Sequence, residues 1–169
     1  MKTLIVIDMQ NDFITGSLGT PEAQAIVPRV AKKVEEYDAR RDRIIYTKDT
    51  HHSNYLETNE GKHLPVSHCI QHSDGWKIHE DVFIYGSDCI CKSTFGYLHW
   101  DNFYRFDDDI EIVGLCSDIC VVSNALILKA MYPDINITVD ASCCAGVTPE
   151  SHKAALLTMK MCQINVINE

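Results

Sequence analysis

Short apolar runs recur along the chain and predict the strands of a sheet. They lie at residues 3–7, 43–49, 81–86, 108–115, 135–140 and 164–168. The first run, TLIVI, is apolar at four consecutive positions, which is typical of a parallel strand covered on both faces. Between residues 50 and 80, by contrast, the chain is polar, rich in histidine and without clear periodicity. Uncovered segments of this length are usually functional or disordered.

Segments of helical periodicity separate several of these runs. The first covers residues 20–40, where Thr20 is suited to cap the helix and Pro21 to occupy its first turn. Five apolar residues fall on one face of this helix: Ile26, Val27, Val30, Val34 and Tyr37. Residues 117–132 predict a second helix that is apolar nearly all round and therefore buried. Residues 148–161 predict a third, capped helix.

The alternation of strands and helices predicts the fold class. It favours one α/β domain, residues 1–169, in which a mainly parallel, six-stranded sheet carries helices on both faces. Parallel sheets bind ligands beyond the carboxyl ends of their strands. Asp8, Asp49 and Cys116 are placed at that edge, and Lys92 follows soon after the third predicted strand. Segments that are distant in sequence are therefore expected to bring polar groups to one rim.

Composition and charge narrow the function classes. The 169 residues (19.1 kDa) are 46% hydrophobic and 23% charged, a balance typical of a globular domain. The formal net charge of −9 and the pI of about 5.3 disfavour nucleic acid and anionic membranes as partners. No segment approaches the length of a membrane span and no signal peptide is recognisable, so a cytoplasmic protein is expected. The run DDD at 107–109 predicts a solvated loop before a strand.

Eight cysteines are present, but they do not predict a disulfide framework. The chain is long enough to bury a core without cross-links, and a protein without an export signal is expected to keep its thiols reduced. No pair has the CxxC spacing of a structural zinc site.

Two cysteines four residues apart raise the question of a reactive thiol. Cys120 falls in the first turn of the helix predicted from Ser117, where unpaired N–H groups and the helix dipole lower a thiol pKa. Cys116 lies at a strand end, where its backbone is the more useful group. Asp8 could accept the thiol proton, and Lys92 could hold that carboxylate and add positive potential. Packing of Cys120 in the core and a bracing role for Asp8 are the alternatives.

The polar segment holds a second candidate site. Asp49 and His51 lie two residues apart at a strand end and, with His68, make a set that suits Zn²⁺, Fe²⁺ or Mn²⁺. Glu60 could add a ligand. The alternatives of the same residue type are His52, His63 and His72. An exposed loop whose histidines only form hydrogen bonds is the other interpretation.

Four motifs, LIVIDMQNDF, DTH, KSTFG and GLCSDICV, occur in this order over most of the chain. They resemble the motifs of the isochorismatase-like cysteine hydrolases, a superfamily that includes nicotinamidases. The resemblance implies a three-layer, Rossmann-like hydrolase domain with a catalytic triad of Asp8, Lys92 and Cys120. It also implies that the backbone N–H groups of Cys116 and Cys120 hold an oxyanion and that the Leu115–Cys116 peptide is cis.

The substrate pocket departs from the nicotinamidase pattern. Nicotinamidases usually carry a tryptophan in a WPxHC stretch, whereas this chain has LPVSHC, with Leu64 in place of tryptophan and one extra residue before the histidine. Phe13 stands where the family places a substrate-facing aromatic residue. Phe95 and Tyr97 could line the same pocket, with core packing as the alternative for Phe95.

The resemblance implies a cysteine amidohydrolase that cleaves a small amide through a thioester, with nicotinamide as the most specific candidate. Isochorismatases themselves work without the nucleophilic cysteine, so Cys120 favours the amide-cleaving branch. A divalent metal is compatible with this activity, no organic cofactor is implied, and a homo-oligomer is expected from the habit of the family. The alternatives are a hydrolase of another carbamoyl or ureido compound and a non-catalytic or redox-active member that binds a small molecule.

Overall fold

Six parallel strands form one sheet in the part of the chain that the structure describes. The structure is a computed structural model and describes residues 2–103 and 108–169, with the backbone alone at residues 102 and 103. The strands are β1 (Thr3–Ile7), β2 (Arg43–Asp49), β3 (Asp88–Lys92), β4 (Ile110–Leu115), β5 (Ile137–Ala145) and β6 (Asn165–Ile167). Their order is β3-β2-β1-β4-β5-β6, and every neighbouring pair is parallel. The predicted parallel sheet is therefore confirmed.

Helices connect the strands. They are α1 (Asn11–Ile14), α2 (Pro21–Ala39), α3 (Asn59–His63), α4 (Trp100–Phe103), α5 (Val122–Met131) and α6 (Pro149–Met161). The two long amphipathic helices start as their sequences predict, because Thr20 Oγ1 accepts the Ala23 N–H at 3.0 Å and Thr148 Oγ1 accepts the Ser151 N–H at 3.1 Å. None of the helices in the described residues is long and apolar enough to cross a membrane.

The sheet is covered on both faces because successive side chains of each strand point to opposite sides. Ile5 and Ile7 of β1 pack in one cluster with residues of α5 and α6. Leu4 and Val6 pack on the other side with α2, whose five residues predicted on one face are all buried. This arrangement is the three-layer α/β fold that the alternation and the family resemblance predicted.

The third strand lies further along the chain than the apolar pattern predicted. Residues 81–86 form no strand: Glu80–Val82 is a 3₁₀ turn, and the segment that follows packs beside α2. Its backbone is held by Tyr46, whose hydroxyl donates to the Val82 carbonyl at 2.7 Å. The strand itself, Asp88–Lys92, lies at the edge of the sheet, and only two of its residues are buried. An edge strand of this kind lacks the continuous apolar run that marked β1.

The helix predicted over residues 117–132 is divided. Ser117–Val121 forms a π-helical turn, and α5 follows from Val122 to Met131. Several of its apolar residues are only partly buried, so the prediction of a fully buried helix is wrong. In the DDD run, residues 108 and 109 are exposed and precede β4 as predicted, whereas residue 107 lies outside the described residues.

Gly114 brings the ends of β1 and β4 close together. Its φ of 118° lies in the region that side chains disfavour, and a Cβ added there would be 2.1 Å from the Ile7 carbonyl oxygen. The pairing of β4 with β5 also shifts register between Ile112 and Gly114. A residue without a side chain is therefore required where β4 runs beside the last residue of β1, one position before Asp8.

Candidate active site

Asp8 and Lys92 form a buried ion pair at the carboxyl ends of β1 and β3. Lys92 Nζ lies 2.6 Å from Asp8 Oδ2, and neither side chain is exposed. Thr47 on the intervening strand orients the carboxylate: its hydroxyl donates to Asp8 Oδ1 at 2.6 Å and accepts the Asp8 N–H at 3.2 Å. Asp8 adopts a φ of 47°, a left-handed conformation that is rare outside glycine and clusters at functional sites.

The same ammonium group faces a thiol. Lys92 Nζ lies 3.6 Å from Cys120 Sγ and donates to the Thr94 carbonyl at 3.1 Å. Burial lowers the pKa of Lys92, but Asp8 and Cys120 raise that pKa by more, so the side chain stays an ammonium ion. Burial raises the pKa of Asp8 above its ordinary value, and Lys92 opposes this shift. A carboxylate with a raised pKa and a fixed cation beside it is suited to accept a proton from the thiol.

Cys120 lies in the π-helical turn that follows β4. The carbonyl of Cys116 accepts the N–H groups of Ile119 at 3.1 Å and Val121 at 3.0 Å, which closes the turn. The peptide between Leu115 and Cys116 is cis, as the family resemblance implied. The turn therefore brings the thiol of Cys120 and the backbone at Cys116 to the same end of the sheet.

The surroundings of the Cys120 thiol disfavour its ionised form. Burial and the negative charge of Asp8 raise the pKa of Cys120 well above its ordinary value, and Lys92 offsets only part of that shift. The direction is opposite to the lowered pKa that the helix start predicts from the sequence, because burial and Asp8 raise the pKa of Cys120. A thiol in such surroundings acts as a nucleophile only with a neighbouring base, and Asp8 is the candidate.

A second group of polar side chains lies beside this triad. Asp49, His51, Glu60 and His68 each offer a ligand atom within 4.8 Å of the others. His51 Nε2 lies 3.0 Å from Asp49 Oδ2 and 3.5 Å from Glu60 Oε1, and His68 Nε2 lies 3.5 Å from Asp49 Oδ2. Lys92 Nζ is 3.9 Å from Asp49 Oδ1, so the two groups adjoin.

This donor set fits a divalent cation. Two imidazole nitrogens and two carboxylates are a common combination for zinc, iron or manganese. His68 Nδ1 lies 2.8 Å from the Val66 carbonyl oxygen, a contact that leaves Nε2 facing the carboxylates.

Burial lowers the pKa of His51, but hydrogen bonds to Asp49 and Glu60 raise it to a net value of about 9. Burial raises the pKa of Asp49, and the two histidines and Lys92 lower it below its usual range. His52, His63 and His72 are outside this group.

A cavity of about 140 Å³ opens onto both groups. Its lining includes Cys116, Cys120, Asp49, Glu60 and His68, and most of the remaining lining is apolar. The apolar side chains that line it are Phe13, Leu18, Ala23, Leu64, Phe95, Leu115, Ile119 and Val147. A space of this size suits a small molecule whose reacting group meets the thiol while the remainder contacts apolar side chains.

Three of the four residues predicted for the substrate pocket line the cavity, and one does not. Phe13, Leu64 and Phe95 line the cavity, and Phe95 is 45% exposed rather than packed in the core. Tyr97 is not on the lining: its N–H donates to Asn124 Oδ1 at 2.9 Å, and its ring lies 5.2 Å from that of Trp100. The expectation that Tyr97 faces the substrate pocket therefore disagrees with its position.

Several functional positions were missed in the sequence. Leu18, Ile119 and Val147 line the cavity from three separate segments, none of which has a periodicity that marks a ligand contact. Thr47 orients Asp8 from a buried strand position where a β-branched residue looks purely structural. Gln10 belongs to the first motif, and its side-chain amide binds both backbone groups of Asp49. Its Oε1 accepts the Asp49 N–H at 2.7 Å, and its Nε2 donates to the Asp49 carbonyl at 2.9 Å.

The eight cysteines all lie in the described residues, and each is a free thiol. Cys120 differs from the others in its contact with Lys92.

Comparisons with known proteins identify the family and the fold of the chain. The isochorismatase domain matches residues 2–168. The nicotinamidase of Saccharomyces cerevisiae is 23% identical over 218 aligned residues that cover 100% of both chains. The Arabidopsis thaliana protein described as "Probable inactive nicotinamidase At3g16190" is 28% identical over 176 residues, covering 93% of this chain and 87% of the relative. The crystal structure of a Pyrococcus horikoshii pyrazinamidase in complex with zinc is 25% identical, with a TM-score of 0.81 over 99% of each chain. The chain therefore belongs to the isochorismatase family.

Proposed function

We propose that the protein is a cysteine amidohydrolase that converts nicotinamide to nicotinate and ammonia. The family and the nicotinamidase relatives support the reaction class, which is hydrolysis of an amide C–N bond. One observation carries the finer proposal: the Cys120 thiol, which lines a small and mostly apolar cavity, contacts Lys92, and Lys92 is ion-paired with Asp8. A nucleophile, a base and a fixed cation in one place are what acyl transfer through a covalent intermediate requires.

The first half of the reaction forms a thioester. Asp8 takes the proton of Cys120 as the sulfur attacks the amide carbon, and the Lys92 ammonium offsets the negative charge that gathers between them. The carbonyl oxygen becomes an oxyanion, which the backbone N–H groups of Cys116 and Cys120 are proposed to bind. The C–N bond then breaks, Asp8 returns its proton to the leaving nitrogen, and ammonia departs. Loss of one oxyanion donor typically slows such reactions by about 100- to 1000-fold.

The second half restores the enzyme. Asp8, again a carboxylate, takes a proton from water as the water oxygen attacks the thioester carbon. The C–S bond breaks, the proton passes to the sulfur of Cys120, and the carboxylic acid product is released and ionises. The balance is one amide and one water consumed, and one acid and one ammonia produced. Lys92 keeps its proton throughout, in agreement with its raised pKa.

We also propose that Asp49, His51, Glu60 and His68 hold a divalent metal ion. The donor set supports this, and the Pyrococcus horikoshii relative of the same fold was crystallised in complex with zinc. A zinc, iron or manganese ion bound there would supply a Lewis acid next to the reacting amide. Glu60 and His68 also line the cavity, so a substrate that fills it lies against this group.

A second substrate class has support from one residue. Leu64 lines the cavity where nicotinamidases usually carry a tryptophan, so the wall has an aliphatic side chain at this position, beside the aromatic Phe13 and Phe95. A carbamoyl or ureido compound keeps the same chemistry at Cys120 and needs no ring to stack. The remaining alternative is that this protein binds a small molecule without catalysis. A relative from Arabidopsis thaliana is described as a probable inactive nicotinamidase.

The deciding experiment measures ammonia release from nicotinamide by the purified protein, with Zn²⁺, Fe²⁺ or Mn²⁺ added in parallel. We expect release by the wild type and background levels in Cys120→Ala. Cys162→Ala is the matched control. It removes an exposed thiol that does not line the cavity, and we expect it to keep full activity. Ammonia from carbamoyl compounds but not from nicotinamide would keep the triad and change the substrate. No ammonia from either would contradict the proposed chemistry.

A further inference from the structure

The segment that carries His68 has little regular structure of its own. Residues 64–77, all of which the structure describes, form no helix and contribute only the isolated bridge of Ile70 with His51. A ligand on such a segment needs support from elsewhere in the molecule if its position is to be fixed. Part of that support comes from the three residues that follow Met9 in the first motif.

Gln10, Asn11 and Asp12 bind this segment at three places. The Gln10 side-chain amide donates to the Trp76 carbonyl at 2.9 Å, and the Asn11 side-chain amide donates to the Asp74 carbonyl at 2.9 Å. The third contact has the opposite polarity, because Asp12 Oδ2 accepts the Cys69 N–H at 2.7 Å. Of the three, only the Asp12 contact lies at the residue next to His68.

Cys69 forms a corner in the backbone, and the positions of both His51 and His68 depend on it. It is fully buried and has a φ of 47°, a conformation that a residue other than glycine adopts only when its surroundings hold it there. Its N–H is bound by Asp12, and its carbonyl accepts the His51 N–H at 3.0 Å. The corner therefore joins the peptide of His68 to the backbone of His51. An unpaired N–H at this buried position would be unfavourable, so the carboxylate stabilises the corner directly.

We propose that Asp12 is a positioning residue for the metal group. Asp12 does not line the cavity. Its carboxylate fixes the Cys69 corner, and this sets the direction of His68 and its distance from His51. The inference rests on the metal site of the proposed function. It explains why a carboxylate occurs in the short helix α1, where its negative charge is used by a backbone N–H about 57 residues further along the chain.

The test compares the affinity of metal-free protein for Mn²⁺, measured from the electron paramagnetic resonance signal of the free ion. Mn²⁺ is chosen because it prefers oxygen and nitrogen ligands, so the eight thiols compete little. A Zn²⁺ titration is run in parallel. We expect Asp12→Ala to weaken Mn²⁺ binding by about 10- to 100-fold, the usual effect of losing a group that orients a ligand. Asp12→Asn keeps an acceptor without the charge and is expected to lose roughly 3- to 10-fold.

Asn11→Ala is the matched control, since Asn11 binds the same segment away from His68. We expect its Mn²⁺ affinity to stay within about twofold of the wild type, which is the range for groups that do not orient a ligand. The thermal midpoint of each metal-free variant separates a general loss of stability from a specific one. A purely structural role for Asp12 would lower that midpoint and leave the affinity of the folded protein unchanged.

The outcomes distinguish the two proposals. If the wild type binds neither Mn²⁺ nor Zn²⁺, the proposed metal site is wrong, and the role of Asp12 falls with it. If the wild type binds and His68→Ala does not, but Asp12→Ala matches the wild type, the positioning role alone is wrong. If Asp12→Ala does not fold, the decision passes to Asp12→Asn, whose equality with Asn11→Ala would overturn the inference.

Discussion

The Lys92 ammonium lies 2.6 Å from the Asp8 carboxylate, and neither side chain is exposed to solvent. Removing two charges from water is costly, and their attraction compensates only when their geometry is good and further hydrogen bonds are made. Thr47 and the Thr94 carbonyl supply such bonds to the two partners. Each charge therefore depends on the other. This dependence separates what the pair does for stability from what it does for catalysis.

Asp8→Asn is expected to impair both properties. The substitution leaves Lys92 charged and buried beside a neutral amide, which destabilises a protein by about 3–5 kcal/mol when one partner of a buried pair is lost. It also removes the carboxylate that is proposed to take the proton of Cys120. We therefore expect a lower midpoint in urea unfolding and ammonia release at background. Retained activity would contradict the role of Asp8 as the base.

The double variant Asp8→Asn with Lys92→Met separates these effects. Replacing both charges removes the unpaired ammonium, so the double variant is expected to be more stable than Asp8→Asn alone. Its hydrolytic activity should stay at background because neither base nor cation is present. Urea unfolding of the wild type, the two single variants and the double variant gives the coupling energy. A double variant no more stable than the single one would show that the charges do not interact as the geometry indicates.

The reactivity of the Cys120 thiol is expected to rise with pH and to increase when Asp8 is neutral. Burial and Asp8 raise the pKa of Cys120, so at neutral pH the thiol is protonated and reacts slowly with iodoacetamide. Asp8→Asn removes the repulsion between carboxylate and thiolate and leaves Lys92 to stabilise the thiolate. Alkylation of Cys120 at pH 7 should then become faster while hydrolysis is lost. Mass spectrometry of the Cys120 peptide distinguishes it from the exposed Cys89, Cys91 and Cys162. Slower alkylation in the variant would show that Asp8 favours the Cys120 thiolate instead of opposing it.

Leu64 is expected to bind the substrate without taking part in the chemistry. It lines the cavity and is 38% exposed, so Leu64→Ala removes about half of a leucine's apolar contact, roughly 1 kcal/mol or about fivefold in KM. Contact that is equal in the ground state and the transition state raises KM and leaves kcat nearly unchanged. Leu56→Ala, at an exposed leucine that does not line the cavity, is the control. A fall in kcat with unchanged KM would place Leu64 in the reaction itself.

The sequence predicted the parts of the fold that depend on burial from both sides. β1 and β2 begin and end where their apolar patterns predicted, and the five apolar residues of α2 are all buried. The prediction of the third strand was wrong because an apolar segment that only packs against the core has the same local pattern as a buried strand. Residues 82–84 pack against the core without pairing, whereas the real edge strand buries only Ile90 and Lys92. Pairing of strands is a long-range relation that a local pattern does not contain.

The site shows the same division. Asp8, Asp49 and Cys116 could be placed at one rim because parallel strands end at the same edge. The pKa of Cys120 could not be predicted, since the local helix start favours a thiolate while the buried carboxylate, 112 positions earlier in the chain, opposes it. Thr47 and Asp12 were also missed, because each acts through a contact with a distant segment. Local sequence identifies the reacting groups, and the fold determines their charge states.

The stability of the protein in acid is expected to depend on Asp140, on the α2 side of the sheet. Lys33 Nζ lies 2.6 Å from Asp140 Oδ2, and Ser142 donates to Asp140 Oδ1 from its N–H at 3.0 Å and its hydroxyl at 2.7 Å. Burial raises the pKa of Asp140, but these bonds lower it by more, so the net pKa lies below the ordinary value of 3.8. A carboxyl whose pKa is lower in the folded state stabilises the fold above its unfolded pKa. That contribution is lost as the pH falls through the folded pKa.

The measurement is the urea midpoint between pH 7 and pH 2.5. The wild type should lose stability as the pH falls below about 4, the range in which an unfolded aspartate takes up its proton. Asp140→Asn should be less stable than the wild type at pH 7, because Lys33 loses a charged partner, and its midpoint should change less between pH 4 and pH 2.5. Asp134→Asn, at an exposed aspartate, should follow the wild-type curve. If Asp140→Asn and the wild type lost stability in parallel over the acid range, the protonation of Asp140 would not be what weakens the fold there.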